Sequence, residues 1–207
     1  MDLKLIYGNM RALCEAPQMM LHYADIPYEY KMVWDHYGSS WAEVKKDIIF
    51  NRLPILIINE DKYIWQSNTI IRYLSNLTKT KPSDEFQLAY CDAVFESTHE
   101  MFSPLNPTIN MTFGEKYNSN KKKLLEDILP NSLNNFEKLL QNSSGNFFIG
   151  NDPFYCDFNA YHHFSMCLIL DKNIFSNFPN LKKFINNFEK LNNCLLYTSP
   201  SPRDLST

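Results

Sequence analysis

Residues 52–77, RLPILIINEDKYIWQSNTIIRYLSNL, decide the fold of this 207-residue chain. Residues 54–58 are a continuous apolar run, which is typical of a strand covered on both faces. A polar turn at 59–62 leads into a second short strand at 63–65. Ser67 can cap a helix, whose apolar side is formed by Ile70, Ile71, Leu74 and Leu77. We therefore predict two strands and a helix in succession.

The residues before this stretch alternate short strand and helix signals. We predict a strand over 3–7, a helix over 13–24 with Pro17 tolerated in its first turn, a strand over 28–33 and a short charged helix over 41–48. The first half therefore has the order β-α-β-α-β-β-α. This order, with its buried strand, predicts an α/β domain over residues 1–78.

No strand signal returns after the polar linker at 78–83. We predict a long helix from 85 to 102 that ends before Pro104 and Pro107, and a second helix over 121–140 that Pro130 bends. A buried helix over 158–170 and an amphipathic helix over 178–191 follow. Residues 84–193 are therefore predicted to form an all-helical domain.

The last residues form a separate case. Residues 194–204 read CLLYTSPSPRD, which is the translation of a common transposase-type sequencing adapter. We expect residues 194–207 to be technical sequence, so that the native C-terminus is missing. The alternative is a Ser/Pro-rich disordered tail.

Composition excludes several classes of function. A net charge of -3 gives no reason to expect nucleic acid or an anionic membrane as a partner. The start lacks the basic and long apolar regions of a signal peptide, and no apolar run approaches the roughly 18 residues that span a bilayer. Five scattered cysteines without a CxxC pair argue against a metal or disulfide framework. We expect a cytoplasmic protein without a bound metal.

Several polar and aromatic residues stand where the predicted strands and helices begin or end. Tyr7 closes the first strand and offers a hydroxyl donor, while the backbone just before Pro54 can pair with an extended ligand. The helix that begins near Ser67 offers N–H groups to a carboxylate. Lys45 and Arg52 add positive charge for a second carboxylate. Together they describe a site for a small zwitterionic peptide that carries a thiol.

At this point the chain resembles the Tyr-type cytosolic glutathione transferases. KLIYGNMRALCEAP (4–17) is similar to their N-terminal segment, SWAEVKKDIIFNRLPILII (40–58) to the tryptophan–lysine segment and cis-proline strand of the sigma class, and QSNTIIRYLSNL (66–77) to their γ-glutamyl-binding helix. GNDPFYCDF (150–158) and FPNLKKFINNFEKL (178–191) resemble the C-terminal domain, the latter nearer the mu class. The resemblance implies a thioredoxin-like N-terminal domain followed by a helical domain.

The resemblance also implies a role for each candidate residue. Tyr7 matches the catalytic tyrosine, whose hydroxyl stabilises the glutathione thiolate, and Glu100 matches an acid that reaches the glutathione amine across a homodimer. The remaining positions match glutathione contacts: the glycine carboxylate, the cysteinyl backbone and the γ-glutamyl group. They are Trp41, Lys45, Asn51, Arg52, Leu53, Pro54, Gln66 and Ser67.

These matches predict an enzyme that conjugates glutathione to small hydrophobic electrophiles, chosen by a pocket to which Phe102 and Tyr161 are candidate contributors. The alternatives are a glutathione-dependent isomerase or peroxidase of the same fold, and a non-catalytic glutathione- or ligand-binding protein. Gly8 stands where relatives carry an aromatic residue. His162 and His163 are expected in structural roles, because adjacent histidines point to different faces of a helix.

Overall fold

The computed structural model describes residues 1–191, which form two compact units, Met1–Thr80 and Lys81–Leu191. The structure confirms that the first half is α/β and that the second half is helical. The expected adapter translation at 194–207 lies outside the described residues.

The first unit is a four-stranded mixed sheet with helices. Its elements are β1 (Leu3–Tyr7), α1 (Glu15–Tyr23), β2 (Glu29–Met32), α2 (Val33–Tyr37), α3 (Trp41–Val44), β3 (Ile55–Ile58), β4 (Lys62–Trp65) and α4 (Ser67–Leu77), with 3-10 turns at Lys45–Asp47 and Ile49–Asn51. The short helix α2 was not predicted. It forms because Val33 turns into the core directly after β2 and Gly38 ends the helix in a left-handed conformation, with φ of 67°.

The strands lie in the order β2-β1-β3-β4. β1 is parallel to β2 and antiparallel to β3, and β3 is antiparallel to β4. All four residues of β3 are buried, as the apolar run predicts. Ile55 and Ile57 pack with Ile6, Val33 and Ile48 in one core cluster. The central position of β3 therefore explains why its sequence lacks the alternation of a half-exposed strand.

The second unit contains α5 (Glu85–Met111), α6 (Gly114–Lys123), α7 (Leu129–Gln141), α8 (Tyr155–Leu170) and α9 (Pro179–Phe188). No strand occurs within residues 81–191. A π-helical turn at Leu124–Ile128 separates α6 from α7, and Pro130 follows it as the second residue of α7. The irregularity thus lies beside the proline that predicts it, because proline cannot donate the regular backbone hydrogen bond.

The prediction that α5 ends before Pro104 is wrong, because the helix continues through Pro104 and Pro107 to Met111. Burial of its inner face continues past both prolines, with Leu105 and Ile109 at most 1% exposed. The hydroxyl of Thr108 donates to the Pro104 carbonyl at 2.9 Å. Tertiary packing here outweighs the local preference of proline to end a helix.

α8 begins three residues before its predicted start, and its N-terminus is fastened by Asp157. This fully buried carboxylate accepts the N–H of Phe154 at 2.8 Å and that of Phe148 at 3.0 Å. Burial raises the pKa of Asp157 to about 7, against the opposing effect of the two N–H donors. Phe154 has no side-chain oxygen to complete a capping box, so the Asp157 carboxylate provides the side-chain contacts that hold this N-terminus to the loop before it.

Candidate functional site

Strand register brings three of the predicted site segments to one edge of the sheet. Ile6 pairs with Ile55, and Ile55 pairs with Trp65. The next residue outward on β1 is Tyr7, Pro54 precedes β3, and Gln66 follows β4. Because β1 and β3 run antiparallel, and β3 and β4 likewise, the end of β1, the start of β3 and the end of β4 coincide.

Tyr7 lies at this edge and is only 6% exposed. Its Oη accepts the N–H of Leu13 at 3.3 Å. A phenol has one donor proton besides its acceptor lone pairs, so this bond leaves the proton available for another acceptor. Burial first, and then the Cys14 thiol, hold the pKa of Tyr7 well above its ordinary value. The side chain is therefore a neutral hydrogen-bond donor at neutral pH.

The segment before β3 presents backbone at the same edge. The Leu53–Pro54 peptide bond is cis, as the resemblance implies. Asn51 is exposed and has a left-handed conformation with φ of 51°, and Arg52 then returns to an extended one. Leu53 is half-buried, with its side chain against the core cluster of Ile6 and Ile55. Its side chain is thus anchored inside the unit while its backbone lies at the start of the strand.

The start of α4 differs in detail from the prediction. Ser67 is already the first helical residue, so the prediction that it caps the helix is wrong. The N-cap is Gln66, which turns the chain out of β4 with φ of 69° and makes no side-chain cap. Ser67 is buried and its Oγ donates to Oδ1 of Asn68 at 3.4 Å. A first helical turn has N–H groups without intrahelical partners and a positive dipole end, so this N-terminus suits a carboxylate.

Trp41 and Lys45 lie at the start of α3 and in the 3-10 turn directly after it. A capping box, in which the Glu43 carboxylate accepts from the Ser40 backbone N–H at 2.9 Å, starts α3 at Trp41. The half-buried Trp41 side chain packs against the core cluster. Lys45 begins the 3-10 turn that follows, is exposed, and donates its backbone N–H to the Trp41 carbonyl. Packing therefore anchors the tryptophan, whereas the lysine extends its charge into solvent.

The predicted site residues of the helical unit have different placements. Glu100 is exposed on α5. Phe102 and Tyr161, considered as pocket lining, belong to the core instead: Phe102 stacks on His163 with ring centroids 4.0 Å apart, and Tyr161 stacks on Phe188 at 4.3 Å. The reason is that α8 is apolar on most of its circumference and is buried along most of its length.

Other polar groups of this unit also have structural surroundings. His162 and His163 are both 1% exposed, in the structural role that the sequence predicts. His163 Nδ1 lies 3.0 Å from the Thr98 carbonyl oxygen, and Asn159 donates to the Thr98 hydroxyl at 2.9 Å. A cavity of about 650 Å³ in this unit, which no sequence pattern indicates, is lined chiefly by the start of α5 and the loop before α8.

Two features are absent from the described residues. Between Met1 and Leu191, no group of three or more His, Cys, Asp or Glu side chains is arranged to hold a metal ion. Over the same range, no helix is both long enough and apolar enough to cross a bilayer.

Sequence reasoning missed a buried polar cluster beside Tyr7. Glu15 and Gln18 of α1 are 1% and 4% exposed, although both residue types usually lie on protein surfaces. Glu15 Oε2 lies 3.5 Å from Nε of Arg11, and its Oε1 accepts from Gln18 at 3.5 Å. The hydroxyl of Tyr28 donates to Gln18 Oε1 at 3.2 Å. Periodicity does not reveal such a cluster, because it depends on tertiary contacts that bring Tyr28 to the buried polar residues of α1.

Comparison with known proteins assigns this fold. The family model "Glutathione S-transferase, N-terminal domain" matches residues 1–76, and "Glutathione S-transferase, C-terminal domain" matches residues 99–200. The second match enters the segment with the expected adapter translation, whose origin stays a prediction. Glutathione S-transferase P of Caenorhabditis elegans is 28% identical over 201 residues, 95% of this chain and 92% of the relative. Glutathione S-transferase Mu 3 of Homo sapiens is 29% identical over 198 residues, 92% of this chain and 85% of the relative.

Solved structures agree with these relatives. The Pi-class glutathione S-transferase of Onchocerca volvulus superposes with a TM-score of 0.81 at 26% identity, covering 94% of this chain and 90% of its own. The rat hPGDS–quinoline complex has the same fold, with a TM-score of 0.81 at 24% identity and 92% coverage of each chain. A four-stranded α/β unit joined to a helical unit is the architecture of a glutathione-dependent transferase.

The chain belongs to the glutathione S-transferase family. It is a transferase with glutathione as its co-substrate.

Proposed function

We propose that this enzyme conjugates the glutathione thiolate to small hydrophobic electrophiles and that Tyr7 is its catalytic residue. The observation that carries the proposal is the alignment of Tyr7, the Leu53–Pro54 bond and the N-terminus of α4 at one edge of the sheet. A phenol donor, an open strand backbone and a helix N-terminus match the thiol, the peptide backbone and a carboxylate of a γ-glutamyl tripeptide, respectively.

In this reaction Tyr7 donates a hydrogen bond to the sulfur and keeps its own proton. The thiol proton leaves to solvent, the thiolate attacks an electrophilic carbon, and a carbon–sulfur bond forms as the leaving group departs with its electron pair. Since the thiolate is the nucleophile, a donor that stabilises the anion increases the reactive fraction at neutral pH. The raised pKa of Tyr7 supports this role, because an ionised phenolate would repel the thiolate.

The remaining predicted residues have binding roles in the proposal. Gln66 and Ser67 contact the γ-glutamyl group at the start of α4, and the Leu53 backbone pairs with the cysteinyl unit before Pro54. The exposed cations Lys45 and Arg52 attract the glycine carboxylate, with Trp41 and Asn51 beside them.

We also propose a cytoplasmic homodimer with sigma-like features, in which Glu100 reaches the glutathione amine of the partner subunit. Large aromatic side chains at the surface support association, since Phe50 is 59% and Phe86 is 79% exposed. Light scattering coupled to size exclusion measures the mass, and a monomer at micromolar concentration would contradict the dimer.

The function is tested by retention on immobilised glutathione and by turnover of 1-chloro-2,4-dinitrobenzene. Retention together with turnover is the expected result. Retention without turnover of this substrate or of a peroxide would identify a glutathione-binding protein without catalysis. Absence of retention and of turnover would show that the aligned sheet edge does not bind glutathione.

A further inference from the structure

The first turn of α1 places a buried carboxylate beside the proposed thiolate site. Leu13, whose N–H donates to Tyr7 Oη at 3.3 Å, is followed two residues later by Glu15. Glu15 is 1% exposed, and the proposed reaction assigns it no role. Burying a carboxylate is unfavourable unless other groups compensate its charge. The contacts of Glu15 therefore show what balances this charge.

Arg11, four residues earlier in the sequence, is a cation that contacts Glu15, with Nε 3.5 Å from Oε2. The Arg11 side chain is 22% exposed, so this pair is only partly screened by solvent. On the other side, Gln18 donates to Glu15 Oε1 at 3.5 Å. Gln18 supplies a hydrogen bond and no formal charge. Arg11 and Glu15 are thus opposite charges in contact, close in sequence to the Leu13 N–H that donates to Tyr7.

The groups near Tyr7 show whether the Glu15 charge favours or disfavours a negative charge at this site. Burial is the main cause of the raised pKa of Tyr7, followed by the Cys14 thiol, and the Glu15 charge adds to both, which means that Glu15 disfavours a negative charge there. Tyr28 lies in the same field, and its pKa is raised by burial and then by Cys14 and Glu15. Further along α1, His22 Nε2 lies 2.9 Å from the Tyr28 hydroxyl. Burial lowers the pKa of His22, and the charge of Asp25 acts in the opposite direction. A glutathione thiolate bound beside Tyr7 would carry its negative charge in the same field, so the Glu15 charge disfavours the thiolate as well.

We propose that Arg11 and Glu15 are a positioning pair that sets the acidity of the bound glutathione thiol, Arg11 favouring the thiolate and Glu15 opposing it. The inference rests on the proposed function of Tyr7. The pair acts through the field at Tyr7 and contacts no reacting atom. Neutralising Glu15 removes a negative charge that disfavours the thiolate and so increases the thiolate fraction, whereas neutralising Arg11 removes a positive charge and does the reverse.

The test follows the ultraviolet absorbance of the bound thiolate against pH, at saturating glutathione, in Glu15→Gln, Arg11→Gln and the double variant. The apparent thiol pKa should fall by about 0.5 to 1 in Glu15→Gln and rise by about as much in Arg11→Gln. Below the thiol pKa, a change of that size alters the thiolate fraction, and kcat/KM with it, about 3- to 10-fold. The double variant should return close to the parent protein.

Two controls separate an electrostatic role from a structural one. Glu29→Gln removes a half-exposed carboxylate from β2 and should leave the thiol titration unchanged. Arg11→Lys keeps the charge and should restore the titration if Arg11→Gln shifts it or fails to fold. Shifts of equal sign in Glu15→Gln and Arg11→Gln, or no shift in folded Glu15→Gln, would overturn the inference.

The result also distinguishes this inference from the function on which it rests. If the parent protein binds glutathione but shows no thiolate absorbance below the pKa of the free thiol, the proposed role of Tyr7 fails. If the parent titrates at a lowered pKa and Glu15→Gln titrates identically, Tyr7 keeps its role and the charge pair loses its own.

Discussion

Replacing Tyr7 by Phe removes the one group that the proposal assigns to the thiolate. A hydrogen bond to a charged group contributes about 1.5–3 kcal/mol, and 2 kcal/mol corresponds to about 30-fold in the equilibrium between thiol and thiolate. We therefore expect kcat/KM for 1-chloro-2,4-dinitrobenzene to fall about 30-fold at pH 6.5. Near pH 9 the loss should shrink to a few-fold, because a thiol with an ordinary pKa of about 8.5 ionises there without help.

The structure also predicts a modest effect of this replacement on stability. Leu13 would lose the acceptor of its N–H, which lies 3.3 Å from Tyr7 Oη. This loss costs about 1 kcal/mol, well below the total stability of an ordinary domain of about 5–15 kcal/mol. Urea unfolding at pH 6.5 should therefore show a folded variant, so that its loss of rate cannot be attributed to unfolding.

The matched control is Tyr63→Phe, because Tyr63 is 44% exposed on β4. It should keep the parent rate at every pH. A Tyr7→Phe protein with the parent rate at pH 6.5 would refute the reasoning. So would a loss of equal size at pH 6.5 and pH 9, because it would show that the hydroxyl does not act through thiol ionisation.

Three further predictions concern binding and stability. Lys45→Ala and Arg52→Ala should each raise KM for glutathione about 3- to 10-fold with little change in kcat, measured by initial rates. Each replacement removes an exposed positive charge that the proposal assigns to the glycine carboxylate of glutathione. Because the pKa of Asp157 is raised to about 7 in the folded protein, its contribution to stability is present in acid and lost as the pH rises from about 4 to 7. Relative to Asp157→Asn, the free energy of unfolding in urea should therefore be about 3 kcal/mol smaller at pH 7.5 than at pH 5, and a difference of opposite sign would show that the N–H donors outweigh burial. Gly145→Ala would place a Cβ in overlap with the backbone of Gly150, so it should lower the stability by about 2 kcal/mol or more in the same assay, and an unchanged midpoint would refute this close approach.

Local patterns in the sequence were sufficient for the elements that define the fold class. The apolar run of β3 predicts a covered strand, and all of its residues are buried. The polar linker near residue 80 predicts the change from an α/β unit to a helical unit. These inferences succeed because hydrophobic periodicity reports directly on which face of an element is covered.

Details that depend on competing interactions were not predictable in the same way. Proline predicts the end of a helix, yet α5 passes through Pro104 because its buried face continues beyond it. Ser67 has the chemistry of an N-cap, yet Gln66 takes that position with a left-handed backbone conformation. In both places, the surrounding structure outweighs a local preference of about 1 to 3 kcal/mol.

The sequence by itself determined the class of each half, the family resemblance and the candidate residues. The tertiary structure alone decided that Tyr7, Pro54 and Gln66 share one sheet edge, because antiparallel register aligns strand ends that lie far apart in the chain. It also decided that Glu15 is buried beside Tyr7 and compensated by Arg11. Charge and polarity are visible in a sequence, but the field that a charge exerts depends on its burial and its neighbours.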